Sequence, residues 1–282
     1  MAIVIAVANQ KGGVGKTTTA VNLAAGLAIK LRHEGTHPGK ILLVDADPQG
    51  HGLMAVGFGR HLAAPEESLA ALLVETPPPS IQRMLRQGIH QSNLDYIPGN
   101  TQAMVAARAR LPSLLAREQR LARALAPIAD TYAYIIIDTP PTLDDLMINA
   151  LVAATHVLIP VEPSYLGLTG LKDLQHAIEQ VRLHLAKDDL RILGYLPTRC
   201  VQQRVEVQEI VDYLREHYPE RTLQPIHETT DLTYAHSAHM DVFTYRPPRS
   251  RQDGRLESSS RATQEYARLV NEVVRRTRPQ SG

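Results

Sequence analysis

Asn9-Gln10-Lys11-Gly12-Gly13-Val14-Gly15-Lys16-Thr17-Thr18 is the stretch whose reading decides the fold. Before it, Ile3-Val4-Ile5-Ala6-Val7-Ala8 is short, apolar and β-branched, as a strand buried on both faces must be. After it, Ala20, Leu23, Ala24, Leu27, Ala28 and Leu31 recur at helical spacing. Strand, glycine-rich loop and helix in that order form the setting of a phosphate-binding loop. Gly12, Gly13 and Gly15 let the backbone take positive φ and turn its N–H groups inward. Those amides and the positive end of the helix dipole make an anion nest. Lys16 reaches the β and γ phosphates of a nucleotide there, and the Thr17 hydroxyl is a ligand for Mg²⁺. The expected nucleotide contacts are therefore Gln10, Lys11, Gly12, Gly13, Val14, Gly15, Lys16, Thr17 and Thr18. The common pattern is G-x-x-x-x-G-K-[ST]. Here Gln10 takes the place of its first glycine, and an additional lysine, Lys11, follows directly.

Two further strands end in acids. Ile41-Leu42-Leu43-Val44 leads into Asp45-Ala46-Asp47-Pro48-Gln49-Gly50. Open parallel sheets place ligands at the C-terminal ends of their strands, and alternation puts both carboxylates on one side of the chain. Two acids that close are costly unless a metal or a water network uses them. Tyr134-Ile135-Ile136-Ile137 leads likewise into Asp138-Thr139-Pro140-Pro141. This is the Walker B pattern, whose acid holds Mg²⁺ through water. The ordinary alternative, an aspartate capping a strand end, loses force beside a phosphate loop.

Lys11-Gly12-Gly13-Val14-Gly15-Lys16-Thr17-Thr18 resembles the deviant Walker A motif of the ParA/MinD group of P-loop ATPases. Asp45 to Gly50 resembles that group's Asp-x-Asp-Pro-Gln-Gly element, and Asp138 to Pro141 its form of Walker B. The resemblance implies a doubly wound, mostly parallel α/β sheet with helices on both faces. It implies one P-loop ATPase domain over residues 1–282, with a C-terminal helix at about 260–276 and a flexible tail at 277–282. It implies ATP and Mg²⁺, a homodimer formed with ATP, and slow hydrolysis stimulated by a ParB-like or other adaptor protein. In such a dimer Lys11 reaches the partner's nucleotide and Asp47 orients the attacking water, so Lys11, Lys16 and Asp47 are the expected catalytic residues. Thr17, Asp45 and Asp138 surround the metal. Relatives carry their adenine pocket near a Pro-Thr like Pro197-Thr198. They also bind DNA without regard to sequence, with an arginine in the region where Arg204 begins a helix, and so segregate or position plasmid or chromosomal DNA. Some position other cargo.

Composition sets the remaining bounds. The chain has 282 residues, 44% hydrophobic, with two Phe and no Trp. One large domain with an aliphatic core is the expectation. The net charge of +1 calls for no global attraction to nucleic acid, so any basic surface must be local. Residues 246–278 carry Arg246, Arg249, Arg251, Arg255, Arg261, Arg268, Arg275, Arg276 and Arg278 against Asp253, Glu257, Glu265 and Glu272. Arg275 and Arg276, with Arg204, are the expected DNA contacts. A single cysteine, Cys200, excludes an internal disulfide, and with no signal or membrane segment in view the expected location is the cytoplasm, on the nucleoid.

The rest reads less sharply. Pro77-Pro78-Pro79 is a break, and Leu94-Asp95-Tyr96-Ile97-Pro98-Gly99-Asn100 resembles the family's short strand ending in Ile-Pro-Gly/Ser. Met104 to Ala126 reads as helices around Pro112, with Leu114, Leu121 and Leu125 inward and the arginines solvated. His156 to Pro163 reads as a strand and its exit turn and Arg191 to Thr198 as the next strand, with a helix from Leu168 to Leu185 between them. Val205 to Tyr218 is a helix and Leu223 to Ile226 a short strand. Asp231 to His236 and Phe243 to Ser250 match the family's closing loop. The chain begins at the Walker strand, so the short ParA type without an N-terminal helix-turn-helix is expected. A MinD-like membrane switch would need large apolar residues along a C-terminal amphipathic helix. An iron–sulfur relative would need cysteines that this chain lacks. A small-molecule ligase or kinase of the same fold would need a substrate pocket that the sequence does not reveal.

Overall fold

The computed structural model describes residues 2–37, 39–50, 63–88, 91–201, 203–246 and 260–278. Six strands form one sheet: β1 (Ile3–Val7), β2 (Lys40–Asp45), β3 (Leu94–Ile97), β4 (Tyr132–Asp138), β5 (His156–Val161) and β6 (Arg191–Pro197). The order is β3-β2-β4-β1-β5-β6 and every pairing is parallel. The strands read as continuous apolar runs because helices cover both faces.

One face packs α1 (Lys16–Glu34) and α9 (Arg261–Thr277). The other packs α2 (Leu69–Val74), α3 (Thr101–Arg110), α4 (Arg120–Leu125), α5 (Asp145–Ala153), α6 (Tyr165–His184) and part of α7 (Val205–His217). A short α8 (Thr230–Ser237) lies near the C-terminal end of β6. On α9, Ala262, Tyr266, Leu269, Val270, Val273 and Val274 are buried at the 3–4 residue spacing of one helix face. Their partner α1 carries Gly26 at the contact. A Cβ there would lie 2.6 Å from Val270 Cγ2 and 2.9 Å from the Phe243 ring, so only glycine admits this approach.

Local chemistry explains where the helices begin and end. Asn100 caps α3 by accepting from the Ala103 N–H, which starts that helix at Thr101 rather than near Met104. Gly35, at φ 63°, closes α1 in the left-handed region. Ser164 caps α6 by accepting from the Gly167 N–H, so this helix starts at Tyr165, before the expected Leu168.

Several expectations need correction. Leu223 to Ile226 is not a regular strand; it lies beside β6 with isolated parallel bridges at Thr222 and His227, and Pro225 has no N–H to extend a ladder. Asp231 to His236 is helical, within α8 and capped by Thr229. Leu121 and Leu125 are buried as expected, while Leu114 is half-buried. The arginines near them are not simply solvated. Arg120 donates to the Leu73 and Glu75 carbonyls, Arg108 pairs with Asp144 at 2.7 Å, and Arg117 pairs with Asp145 at 3.3 Å. Thr277 belongs to the last turn of α9, not to a tail, and its hydroxyl meets the buried Tyr134 hydroxyl at 2.8 Å. The remainder of the expected closing loop beyond Arg246, and the tail beyond Arg278, lie outside the described residues.

Candidate nucleotide site

The loop between β1 and α1 sits at the C-terminal ends of the strands. Gly13 (φ 76°) and Gly15 (φ 82°) hold the left-handed conformation that turns successive N–H groups to one side; Gly12, expected to do the same, does not take positive φ, and a Cβ there would meet nothing within 4 Å. Asn9 fixes the start of the loop, donating to the Pro160 carbonyl at 2.6 Å and accepting from the Lys11 N–H at 2.8 Å. Thr198, just beyond β6, fixes the middle by donating to the Val14 carbonyl at 2.8 Å. Arg199 adds a bond to the Gly13 carbonyl at 3.1 Å.

The two loop lysines go different ways. Lys16 is 6% exposed, and its Nζ donates to the Lys11 carbonyl at 3.0 Å. Lys11 turns outward; its ammonium bonds Glu162 and also contacts Ser164 at 3.5 Å. Gln10 lies half-buried beside it, Val14 is buried, and Thr18 faces the adjoining cavity.

The acids gather beneath the loop. The register sets Asp45 directly beside Asp138 on neighbouring strands. Thr17 donates to Asp138 Oδ2 at 2.6 Å. Asp45 accepts the Asp47 N–H at 3.2 Å, and Asp47 accepts the Gln49 N–H at 2.9 Å. Gly99 after β3 approaches Asp45 so closely that a Cβ there would lie 3.2 Å from the carboxylate carbon.

This crowding moves the titrations. Burial pushes Asp45 well above the usual carboxylate range, and the neighbouring Asp138 and Asp47 push the same way. Asp138 rises to about 7, chiefly through burial, against the Thr17 hydrogen bond. Asp47 also rises, again mainly by burial, with Lys16 and the Gln49 N–H opposing. Burial lowers Lys16, while Asp138 and Asp47 hold its proton on. Asp138 and Asp47 act on Lys16 and, with Asp45, repel one another, a set of hard oxygen donors that a divalent cation would relieve. Asp138 Oδ1 supports this fit, being buried with no hydrogen-bond partner.

Beside the loop a cavity of about 350 Å³ is lined by Gly13, Gly15, Thr18, Thr198, Arg199, Ile226, Leu232 and Tyr266, among others. Of the two residues expected at the adenine, Thr198 lines it. Pro197 does not; it ends β6, and its carbonyl accepts the Ile226 N–H at 2.8 Å. Larger hollows of about 390 and 570 Å³ border α6 and touch no residue of the loop. Sequence patterns assign no role to Arg199, residues 227–230, Tyr266, Glu162 and Ser164. Arg199 takes φ 54°, a conformation that no motif announces for arginine.

The three arginines expected to contact DNA do not meet. Arg204 occupies the N-cap position of α7, on the side of the sheet where β6 ends. Arg275 and Arg276 lie at the far end of α9, near the start of β6. Arg276 is committed to structure, donating to the Leu193 carbonyl at 2.8 Å and pairing with Glu272.

A parallel sheet with this loop and a Walker B acid defines a P-loop ATPase. Residues 2–192 match the family described as AAA domain. The chain is 36% identical over 276 residues to the sporulation initiation inhibitor protein Soj of Bacillus subtilis, covering 97% of this chain and 99% of that one. It is 33% identical over 282 residues to the chromosome partitioning protein ParA of Myxococcus xanthus, covering 99% and 90%. Among solved structures, cobyrinic acid a,c-diamide synthase from Mycobacterium smegmatis with bound ATP analog and magnesium superposes with a TM-score of 0.75. That enzyme is 27% identical, with 98% of this chain and 95% of that one covered. The chain belongs to the AAA domain family and, within it, to the ParA-like partition ATPases. It is an ATPase that uses ATP and Mg²⁺.

Proposed function

We propose that this ATPase is a switch that closes into a homodimer on ATP, binds DNA without sequence preference, and opens when a partner protein triggers hydrolysis. Its cargo in this reading is plasmid or chromosomal DNA, and its place is the nucleoid. The observation that carries it is the division of labour between the loop lysines. Lys16 is enclosed and answers the carboxylates of its own site, whereas Lys11 is 32% exposed at the rim, where a second subunit has access to it.

In this reading the loop amides and Lys16 bind the triphosphate. Thr17, Asp138 and Asp45 would hold Mg²⁺, which would offset phosphate charge. Asp47, partly buried and beside Lys16, orients the attacking water. Lys11 of each subunit brings a cation to the other's phosphates, and a cation delivered in trans contributes about 10³-fold or more in related chemistry. A subunit alone is therefore slow.

The membrane alternative has less support. The apolar residues of α9 are spent on α1, and no described helix is long and apolar enough to cross a membrane. A ligase of the diamide-synthase kind shares the fold, but the chain is closer in sequence to Soj. Transport of non-DNA cargo keeps the same switch and differs only in the adaptor.

The test mixes Lys11→Ala with an Asp47→Ala subunit and follows sedimentation and turnover. Lys11→Ala alone should bind ATP yet remain a monomer. A Lys11→Ala protein that dimerises and turns over as the wild type does would remove the trans role.

A further inference from the structure

The exposed side of α9 has one chemical character. Its exposed residues, Arg261, Gln264, Arg268, Asn271 and Arg275, contain no acid, and Arg278 follows at the C-cap. The two acids of the helix are drawn in. Glu265 is 7% exposed and accepts from Arg261 Nε at 2.7 Å and from the His227 N–H at 2.8 Å. Glu272 is half-buried between Arg275 and Arg276.

Arg261, Arg268 and Arg275 are spaced by seven residues. Each step advances about 10.5 Å along the axis and turns the side chain by only about 20°. The three side chains therefore leave the helix along one line about 21 Å from end to end; Arg261 also bonds Glu265 at 2.7 Å, and Arg275 bonds Glu272 at 2.8 and 2.6 Å. Phosphates of a DNA strand recur about every 3.4 Å of helix axis, so the row runs past several of them. A chain of net charge +1 needs such a local concentration to hold a polyanion.

The same helix touches the nucleotide site. Tyr266 lines the cavity beside the loop, and Glu265 ties His227, another lining residue, to α9. The row and the cavity thus share one rigid element.

We propose that the Arg261–Arg268–Arg275 row of α9 docks the phosphodiester backbone of duplex DNA. This rests on the DNA-binding reading above and moves its contacts away from Arg204 and Arg276. A lipid surface fits less well, because no apolar face of α9 remains to enter a bilayer.

The experiment is fluorescence anisotropy with the full chain on two unrelated duplexes, with ATP and Mg²⁺ or with ADP, over a salt series. Arg268→Ala combined with Arg275→Ala should weaken binding to both duplexes about tenfold or more. It should flatten the log–log salt slope by about 1.8 per subunit, two lost phosphate contacts at about 0.9 each. The matching pair Arg268→Lys and Arg275→Lys keeps the charge and should restore most of the affinity, which separates lost contacts from lost folding. Arg204→Glu should change affinity less than twofold. If the alanine pair binds like the wild type, or if Arg204→Glu removes binding instead, the row is wrong and the DNA reading stands. If the wild type binds neither duplex with either nucleotide, both fall. Flotation with phosphatidylglycerol vesicles that is lost in the alanine pair, without duplex binding, would likewise overturn the proposal in favour of a membrane.

Discussion

Thr198→Val isolates one hydrogen bond that closes the phosphate loop. Thr198 is 2% exposed, and its hydroxyl donates to the Val14 carbonyl at 2.8 Å, joining the end of β6 to the loop after β1. Valine keeps the branched shape and removes the donor. A buried carbonyl left without a partner costs about 1–3 kcal/mol. If that cost falls on the ordered loop, nucleotide affinity drops about tenfold at 1.4 kcal/mol and about a hundredfold near the upper end. Thermal stability should fall by about 2–4 °C per kcal/mol. Fluorescent nucleotide titrations with ATP, ADP and GTP provide the assay. A loop prop serves the phosphates, so the three should weaken by the same factor. A direct adenine contact would instead weaken ATP and ADP and spare GTP. Thr198→Ser keeps a hydroxyl and should recover most of the affinity. Wild-type affinity in the valine variant, or a serine variant as weak as valine, refutes the reasoning.

Asp47→Ala should bind ATP and still sediment as a dimer, with turnover lowered about 10²-fold or more, as loss of a group that positions the reacting water implies; an ATP-loaded monomer would make Asp47 structural. Gly26→Ala gains about 1 kcal/mol of helix propensity but forces a Cβ to within 2.6 Å of Val270 Cγ2, and overpacking typically costs about 1–3 kcal/mol. Its melting temperature should fall by a few degrees, and an unchanged or higher value would mean that α1 and α9 separate freely. Glu272 is held down to about 2 by its hydrogen bonds to Arg275 and Arg276, against 4.5 ordinarily. A lowered folded value means that its stabilisation is present above pH 4.5 and is lost as pH falls toward 2. Solvent screening limits the contribution to about 1 kcal/mol or less. The stability difference between wild type and Glu272→Gln should therefore shrink between pH 6 and pH 3 in urea titrations, and a constant difference would rule out the carboxylate.

What was legible in the sequence was what repeats locally. The apolar runs of β1, β2 and β4, the glycines at 13 and 15, and the strand-ending acids Asp45, Asp47 and Asp138 each carry their meaning within a few residues, whereas Gly12 does not take the positive φ expected of it. The sheet then aligns Asp45 with Asp138 by register, which no local pattern states. Contacts across long separations were not legible. Thr198 reaches Val14, Glu162 reaches Lys11, and Arg276 reaches Leu193, and each pair is brought together only by the crossovers of the fold. Counting charge near the C-terminus located the basic helix but not its exposed face. Helical period separates the two cases: Arg268 and Arg275 share a face, whereas Arg276 turns about 100° further and donates to the Leu193 carbonyl, Glu272 pairing with both Arg275 and Arg276. Leu223 to Ile226 shows the opposite case, where Leu223 and Ile226 suggest a strand but Pro225 cannot donate to a ladder.

The cis contact of Lys11 does not conflict with a role in trans; its energetics favour one. The Lys11–Glu162 pair is about a third exposed on both sides. Ion pairs with that much solvent contribute about 1 kcal/mol or less. Charge-assisted hydrogen bonds to a desolvated phosphate are worth about 1.5–3 kcal/mol each. In the proposed dimer, Lys11 would exchange a weak partner for a stronger one when a second subunit brings a triphosphate within reach. Lys16 has no such freedom. It is enclosed, its charge is maintained by Asp138 and Asp47, and moving it would strand those carboxylates. Under that proposal, two lysines five residues apart on one loop would divide into a fixed charge for the subunit's own nucleotide and a transferable one for its neighbour's. The exposed pair lets the second be released at little cost.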